Sequence, residues 1–170
     1  MSRMRPARRL TATALLAALV LAGCGFAPRG ALKLPAGFGP LAVSAADPYS
    51  PLAEGLRRDL SRAGVAVSEA GDGGARLAIL EERWETRPIS VDAFVAVREV
   101  ETRYTVVFDL VDATGAKRLD GARVELARDY VYEAAESFGN PGEQEIIQQE
   151  LRRDMQAALL RRIDIALRDD

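Results

Sequence analysis

One cysteine and no histidine bound the chemistry open to this 170-residue chain. Cys24 holds the only thiol, and a thiol becomes a strong nucleophile or metal ligand once ionised. With no second cysteine and no histidine, the usual ligand sets for zinc, copper and haem cannot be assembled. Neither can a Ser-His-Asp or Cys-His triad, and the commonest general base is missing. Carboxylate hydrolysis and a Ser-Lys pair are what remain. The only lysines are Lys33 and Lys117, and neither lies in a Ser-rich motif. Glu81 and Glu82 form an acid pair in sequence, but neighbours along a strand point to opposite faces and cannot act on one bond together. The residue types point away from catalysis and toward one covalent modification, at Cys24, on a protein that works by binding.

The residues ahead of Cys24 say what that modification is. Arg3, Arg5, Arg8 and Arg9 make a basic start with no acidic residue before Asp47, and Leu10 to Leu21 is apolar apart from two threonines. This layout predicts a secretion signal over 1–23; its apolar run is shorter than the roughly 20 residues a bilayer crossing needs. Leu21-Ala22-Gly23-Cys24 resembles the lipobox of bacterial lipoproteins. The resemblance implies cleavage between Gly23 and Cys24 after the thiol has received a diacylglyceryl group, followed by N-acylation. Each buried methylene contributes about 0.8 kcal/mol, and two chains already hold a protein stably on a membrane. No other cofactor is expected.

Cleavage would leave nineteen basic against twenty-five acidic residues, a net charge of about −6. An acidic domain is a poor match for nucleic acid, which needs a basic footprint. The remaining chain is long enough for one domain with a substantial core. No cysteine pair is available, so packing must hold it together without disulfides.

The elements follow from capping and periodicity. Gly and Pro between Cys24 and Gly39 predict a link over 24–39, ahead of a single domain over 40–170. Leu41 and Val43 fit a modest first strand. Ser50 and Pro51 suit the cap and first position of a helix whose face is Leu52, Leu56, Leu60 and Ala63, ended by Gly64. A second strand is predicted over 76–84 and is stopped by Pro88. Val100, Thr102, Tyr104, Val106, Phe108 and Leu110 then alternate with Arg103, Thr105, Val107 and Asp109. After a turn at 112–115, Ala122, Val124, Leu126, Arg128, Tyr130 and Tyr132 alternate in the same way and close a hairpin. Asn140 and Pro141 open a last helix of about 25 residues striped by Ile147, Leu151, Met155, Ala158, Leu159, Ile163 and Ala166. The order β-α-β-β-β-α predicts an α/β fold. It is a two-layer sandwich with a four-stranded mixed, mostly antiparallel sheet and two helices on one face. The uncovered face, with Thr105, Val107 and Val111 among charges, is expected to meet a partner.

Read in order, several patches are similar to one family. Cys24-Gly25-Phe26-Ala27-Pro28-Arg29-Gly30 with Leu34-Pro35 resembles the mature start of the LPS-assembly lipoprotein LptE (RlpB) family. Asp47-Pro48-Tyr49-Ser50-Pro51-Leu52, Glu101-Thr102-Arg103-Tyr104, Arg128-Asp129-Tyr130-Val131-Tyr132, Asn140-Pro141 with Glu143 to Ile147, and Leu159 to Ile163 continue the match along nearly the whole mature chain. The resemblance implies a non-enzymatic outer-membrane lipoprotein of a Gram-negative bacterium, lipid-anchored on the periplasmic face. It implies that the protein plugs the β-barrel translocon LptD, helps assemble it, and binds lipopolysaccharide. Gly25, where some bacteria place a retention aspartate, favours transfer to the outer membrane. The family's fold is also a two-layer sandwich. The alternative reading is an accessory lipoprotein of a lipid-shuttling ABC transport system.

Arg98 and Arg103 lie nearest the family's basic lipopolysaccharide contact and could grip phosphates through the guanidinium fork; the plainer alternative pairs them with Glu99 and Glu101. The loop Ser137 to Asn140 lacks the positive charge that some members carry there. Trp84, among polar residues at a strand end, is a candidate partner contact, since exposed tryptophans mark interface hot spots. Arg153 is a second candidate. Arg152, Arg161 and Arg162 could likewise meet a barrel wall or headgroups, or simply be solvated. Tyr104 and Tyr130 are expected in packing rather than on a sugar.

Overall fold

Ser50 starts the first helix as its type dictates. Its hydroxyl accepts from the Ala53 amide at 3.2 Å, and Pro51 takes the first helical position. The far end closes as a Schellman turn: Val65 N–H donates to the Leu60 carbonyl and Gly64 N–H to that of Ser61, with Gly64 at φ +82°. Only glycine adopts that angle without strain. The computed structural model describes residues 34–35, 38–68, 74–91, 97–131 and 141–168. Gly23, Cys24, the signal segment, Tyr132, and the 137–140 loop with its expected Asn140 cap lie outside the described residues.

The elements run β1 (Leu41–Ala45), α1 (Pro51–Arg62), β2 (Val67–Ser68), β3 (Ala75–Val91), β4 (Val97–Val111), β5 (Lys117–Val131) and α2 (Pro141–Arg168). The sheet order is β2-β1-β3-β4-β5. β1 pairs parallel with both β2 and β3, as a strand-helix-strand crossover requires, while β3, β4 and β5 form an antiparallel meander. The sheet therefore has five strands rather than four. The extra one, β2, is two residues long, too short for alternation to reveal it.

A single core joins Leu52, Leu56 and Leu60 of α1 and Ile147, Leu151, Met155, Leu159 and Ile163 of α2 to Tyr104, Val106, Phe108 and Leu110 of β4. Only one side chain parity of β4 enters it, so both helices cover the same face. Phe38 is buried in this core and Leu34 packs against it, so the folded body takes in residues ahead of β1.

Two irregularities decide which residues face the helices. Ile79 lies opposite Phe108, but the next pair is Glu81 with Val107, which leaves Leu80 as an extra residue. This bulge inverts the alternation. Leu77 and Ile79 point inward below it; Glu82 and Trp84 do so above it. In β5, Leu119 pairs with Leu110 and Ala122 with Phe108, so Asp120 and Gly121 share one register step. Gly121 supplies φ +58° there, and its N–H donates to the Asp109 carboxylate at 2.7 Å.

Pro88 does not stop β3, which continues to Val91 with irregular register after Pro88. Beyond Ile79 the short β1 no longer flanks β3, and an edge strand tolerates a residue without an amide donor.

Candidate interaction surfaces

The outer face of the sheet carries a lattice of ion pairs. Arg87 meets Glu101 at 2.9 Å, Arg103 meets Glu101 at 2.9 Å and Glu125 at 3.1 Å, and Arg123 meets Glu125 at 2.7 Å. Arg83 lies between Glu81 and Glu85 at 3.4 and 3.3 Å. Four of these six pairs join residues two apart on one strand, whose side chains share a face, while Arg87–Glu101 and Arg103–Glu125 cross between neighbouring strands. The Arg87 guanidinium, then that of Arg103, holds the Glu101 carboxyl below its usual pKa; Arg123 does the same for Glu125. Thr105 is buried beneath the lattice and donates to Glu125 at 3.3 Å. The face is a mixture, as the strand pattern predicts: paired charges lie beside half-buried Val107 and Val111 and exposed Val131.

On the helix side, Trp84 and Glu82 of β3 meet Tyr104 of β4, Arg152 of α2 and Ser50 at the start of α1. Trp84 lies flat on Tyr104, with ring centroids 3.7 Å apart and planes 9° from parallel. The Arg152 guanidinium sits 5.7 Å from the Trp84 ring, within cation–π range. Glu82 accepts from the Ser50 hydroxyl at 3.1 Å. Tyr104 is fully buried, and the Arg152 Nε is buried with no hydrogen-bond partner among the described residues. Burial, and then the neighbouring Glu82 charge, push the Tyr104 pKa well up, so the hydroxyl keeps its proton at any working pH. The Glu82 carboxylate, beside the hydroxyl, helps hold that proton on by its charge and as a hydrogen-bond acceptor.

At the other end of the sheet, Asp112 organises the β4–β5 turn. It accepts from Thr114 through both hydroxyl and amide, from the Ala116 amide, and from Arg118 at 2.9 Å. These bonds, the Thr114 hydroxyl's foremost, draw its pKa down to about 2. Beside the turn, a cavity of about 440 Å³ is lined by Lys117, Arg118, Leu119, Arg162, Ile165 and Ala166. Lys117 is held by Asp120 at 2.6 Å. Among the described residues, no helix is long and apolar enough to cross a membrane, and no acidic cluster could hold a metal ion.

The family model for lipopolysaccharide assembly, LptE, matches residues 38–163, which span β1 through most of α2. The chain belongs to the LptE family. An LPS-assembly lipoprotein LptE from Photorhabdus laumondii is 30% identical over 161 residues, covering 92% of this chain and 85% of that protein. A second, from Pectobacterium atrosepticum, is 27% identical and covers 87% of this chain and 80% of that one. Among solved structures, a rare lipoprotein B from Shewanella oneidensis superposes with a TM-score of 0.65 at 22% identity, covering 72% of this chain and 92% of that one. A lipoprotein B from Nitrosomonas europaea gives 0.65 at 25%, covering 82% and 90%. The two-layer sandwich is the shared fold.

Within this LptE-family domain the sequence-derived candidates part company. Arg103 lies on the outer face, engaged by two carboxylates. Arg98 lies near the start of β4, by the irregular pairing that ends at Val91 and Val97. Trp84 lies on the inner face, half-buried, and Arg153 is exposed on α2. The arginine brought to Trp84 is Arg152. Its place three residues before Met155 and four after Gln148, on the border of the apolar stripe, is the sequence signal that could have found it. Tyr130 packs against the core, as expected.

Proposed function

We propose that this LptE-family lipoprotein acts by binding alone, as the plug and assembly partner of the LptD barrel at the outer membrane. Lipid on Cys24 holds it at the periplasmic face, and its work supports lipopolysaccharide insertion at the cell surface. The observation that carries this reading is the family match over 38–163, which takes in the sandwich almost whole. The outer face fits the role: Arg87, Glu101, Arg103, Arg123 and Glu125 are paired among themselves, so these charges can lie against a polar, water-lined barrel wall without being stranded. The same surface bears on lipopolysaccharide. For Arg103 to grip a phosphate it must trade Glu101 or Glu125 for it, an exchange of one charge-assisted bond for another.

Affinity-tagged protein from native membranes is expected to bring down a large outer-membrane barrel in a one-to-one complex; recovery of no such barrel would falsify the reading. Recovery with inner-membrane transport subunits would instead support the ABC-accessory alternative. Cys24→Ser is expected to release the protein from membranes and to lower surface lipopolysaccharide at native expression. A variant that stays membrane-bound would show that Cys24 is not the anchor.

A further inference from the structure

The cavity beside the β4–β5 turn joins cations to an apolar floor. Lys117, Arg118 and Arg162 line it with Leu119 and Ile165, and no acidic residue is in its lining. Its volume of about 440 Å³ falls in the range of small-ligand sites, roughly 300–1,000 Å³. Asp112 fixes Arg118 at 2.9 Å and Asp120 holds Lys117 at 2.6 Å. Arg162 is exposed and pairs with no carboxylate among the described residues, so it brings uncompensated charge to the opening. We propose that this cavity seats the headgroup phosphodiester of an anionic glycerophospholipid, drawn from the leaflet that holds the Cys24 lipid.

The lining selects an amphiphilic anion. The planar guanidinium fork of Arg162 matches two phosphate oxygens at once, and Arg118, pinned by Asp112, adds positive potential at a set position. Leu119 and the 51% exposed Ile165 offer apolar contact to the glycerol and the first acyl methylenes, which inorganic phosphate would leave unused. The position selects the membrane. Gly39, just ahead of β1, lies against the turn: a Cβ built on it would stand 3.6 Å from the Ala113 Cβ. The chain thus enters the fold at the end that carries the cavity. Cys24 precedes Leu34 by ten residues, a reach of at most about 36 Å. Arg98 lies near the opposite end of β4, which runs from Val97 to Val111, roughly 43 Å along the strand at 3.3 Å per residue. The headgroup seat is therefore a different place from the Arg98 candidate contact with lipopolysaccharide.

This inference rests on the Cys24 anchor of the proposed function, and its test keeps the two apart. The probe is dihexanoylphosphatidylglycerol, titrated into the ¹⁵N-labelled mature lipoprotein in a neutral detergent while the Ala116 and Ala166 amide resonances are followed. A saturable shift is expected, weakened at least about tenfold in Arg162→Gln. The shift is expected to be unchanged in Arg58→Gln, which alters an exposed arginine of α1 outside the lining. No saturable shift, or an equal one in Arg162→Gln, overturns the proposal. So does an equal response to dihexanoylphosphatidylcholine, which keeps the phosphodiester and the chains but cancels the net charge. Displacement of the probe by lipid A at a lower concentration than by further phosphatidylglycerol would give the cavity to lipopolysaccharide and overturn the assignment to the leaflet. No probe shift, with Cys24→Ser released from membranes, sinks the cavity and leaves the anchor standing. A probe shift with Cys24→Ser still membrane-bound sinks the anchor, and with it the leaflet as the source of the lipid.

Discussion

Asp112 shows what one carboxylate decides at the scale of a residue. It ties three bonds of a five-residue turn to Arg118 of the next strand. Its folded pKa of about 2 lies below the ordinary 3.8, so the unfolded chain takes up the proton first as acid is added. Its contribution to stability is therefore whole above about pH 5 and is lost as pH falls through 3.8 toward 2. Glu101 and Glu125 are depressed too and act in the same direction. Asp112→Asn is expected to lower the melting temperature at neutral pH and to flatten its decline between pH 4 and 2, read by circular dichroism across that range. An unchanged acid limb would show that the depressed pKa of Asp112 does not couple to folding. Sequence alone marks 112–115 as a turn, but not that Arg118 would fold back onto it, because a hairpin's bulges set that distance.

At the scale of the element, capping and bulging carry different weight. Ser50→Ala removes the acceptor for the Ala53 amide and the donor to Glu82, and should cost about 1 kcal/mol in urea unfolding. The Leu80 bulge makes a stranger prediction. Leu80 is the unpaired extra residue, 49% exposed, so deleting it leaves Glu82 and Trp84 facing the helices and Trp84 still opposite Tyr104. The deletion variant is expected to keep the parent's tryptophan emission. Deleting Arg83 instead shifts the register by one step within a regular stretch, should turn one side of the strand inside out and red-shift that emission. Equal spectra from the two deletions would contradict the register. The long strands were legible because alternation persists for six positions in β4 and five in β5. β3 was legible only as far as its alternation held; its bulge and Pro88 hid the second half, and only an open edge made that half possible.

For the whole molecule, the layers depend on side chains shared between distant segments. Leu159 is fully buried among α1, α2 and the sheet, and Leu159→Ala should cost about 2–5 kcal/mol, the spread reflecting how far the cavity can collapse. Such a loss measured by chemical unfolding would sit beside little change from Arg153→Ala, whose side chain is exposed. The sequence by itself determined the helix limits, the hairpin, the inward stripes, the sandwich class and the basic-apolar-Cys24 start, because each is written in local spacing or in the chemistry of one side chain. Only the tertiary structure decided which face Trp84 occupies, that Arg152 rather than Arg153 meets it, and that Arg103 is held by two carboxylates. Those outcomes depend on one extra residue in a strand and on the register between strands. A single register step moves every later side chain to the opposite face, and no local pattern records it.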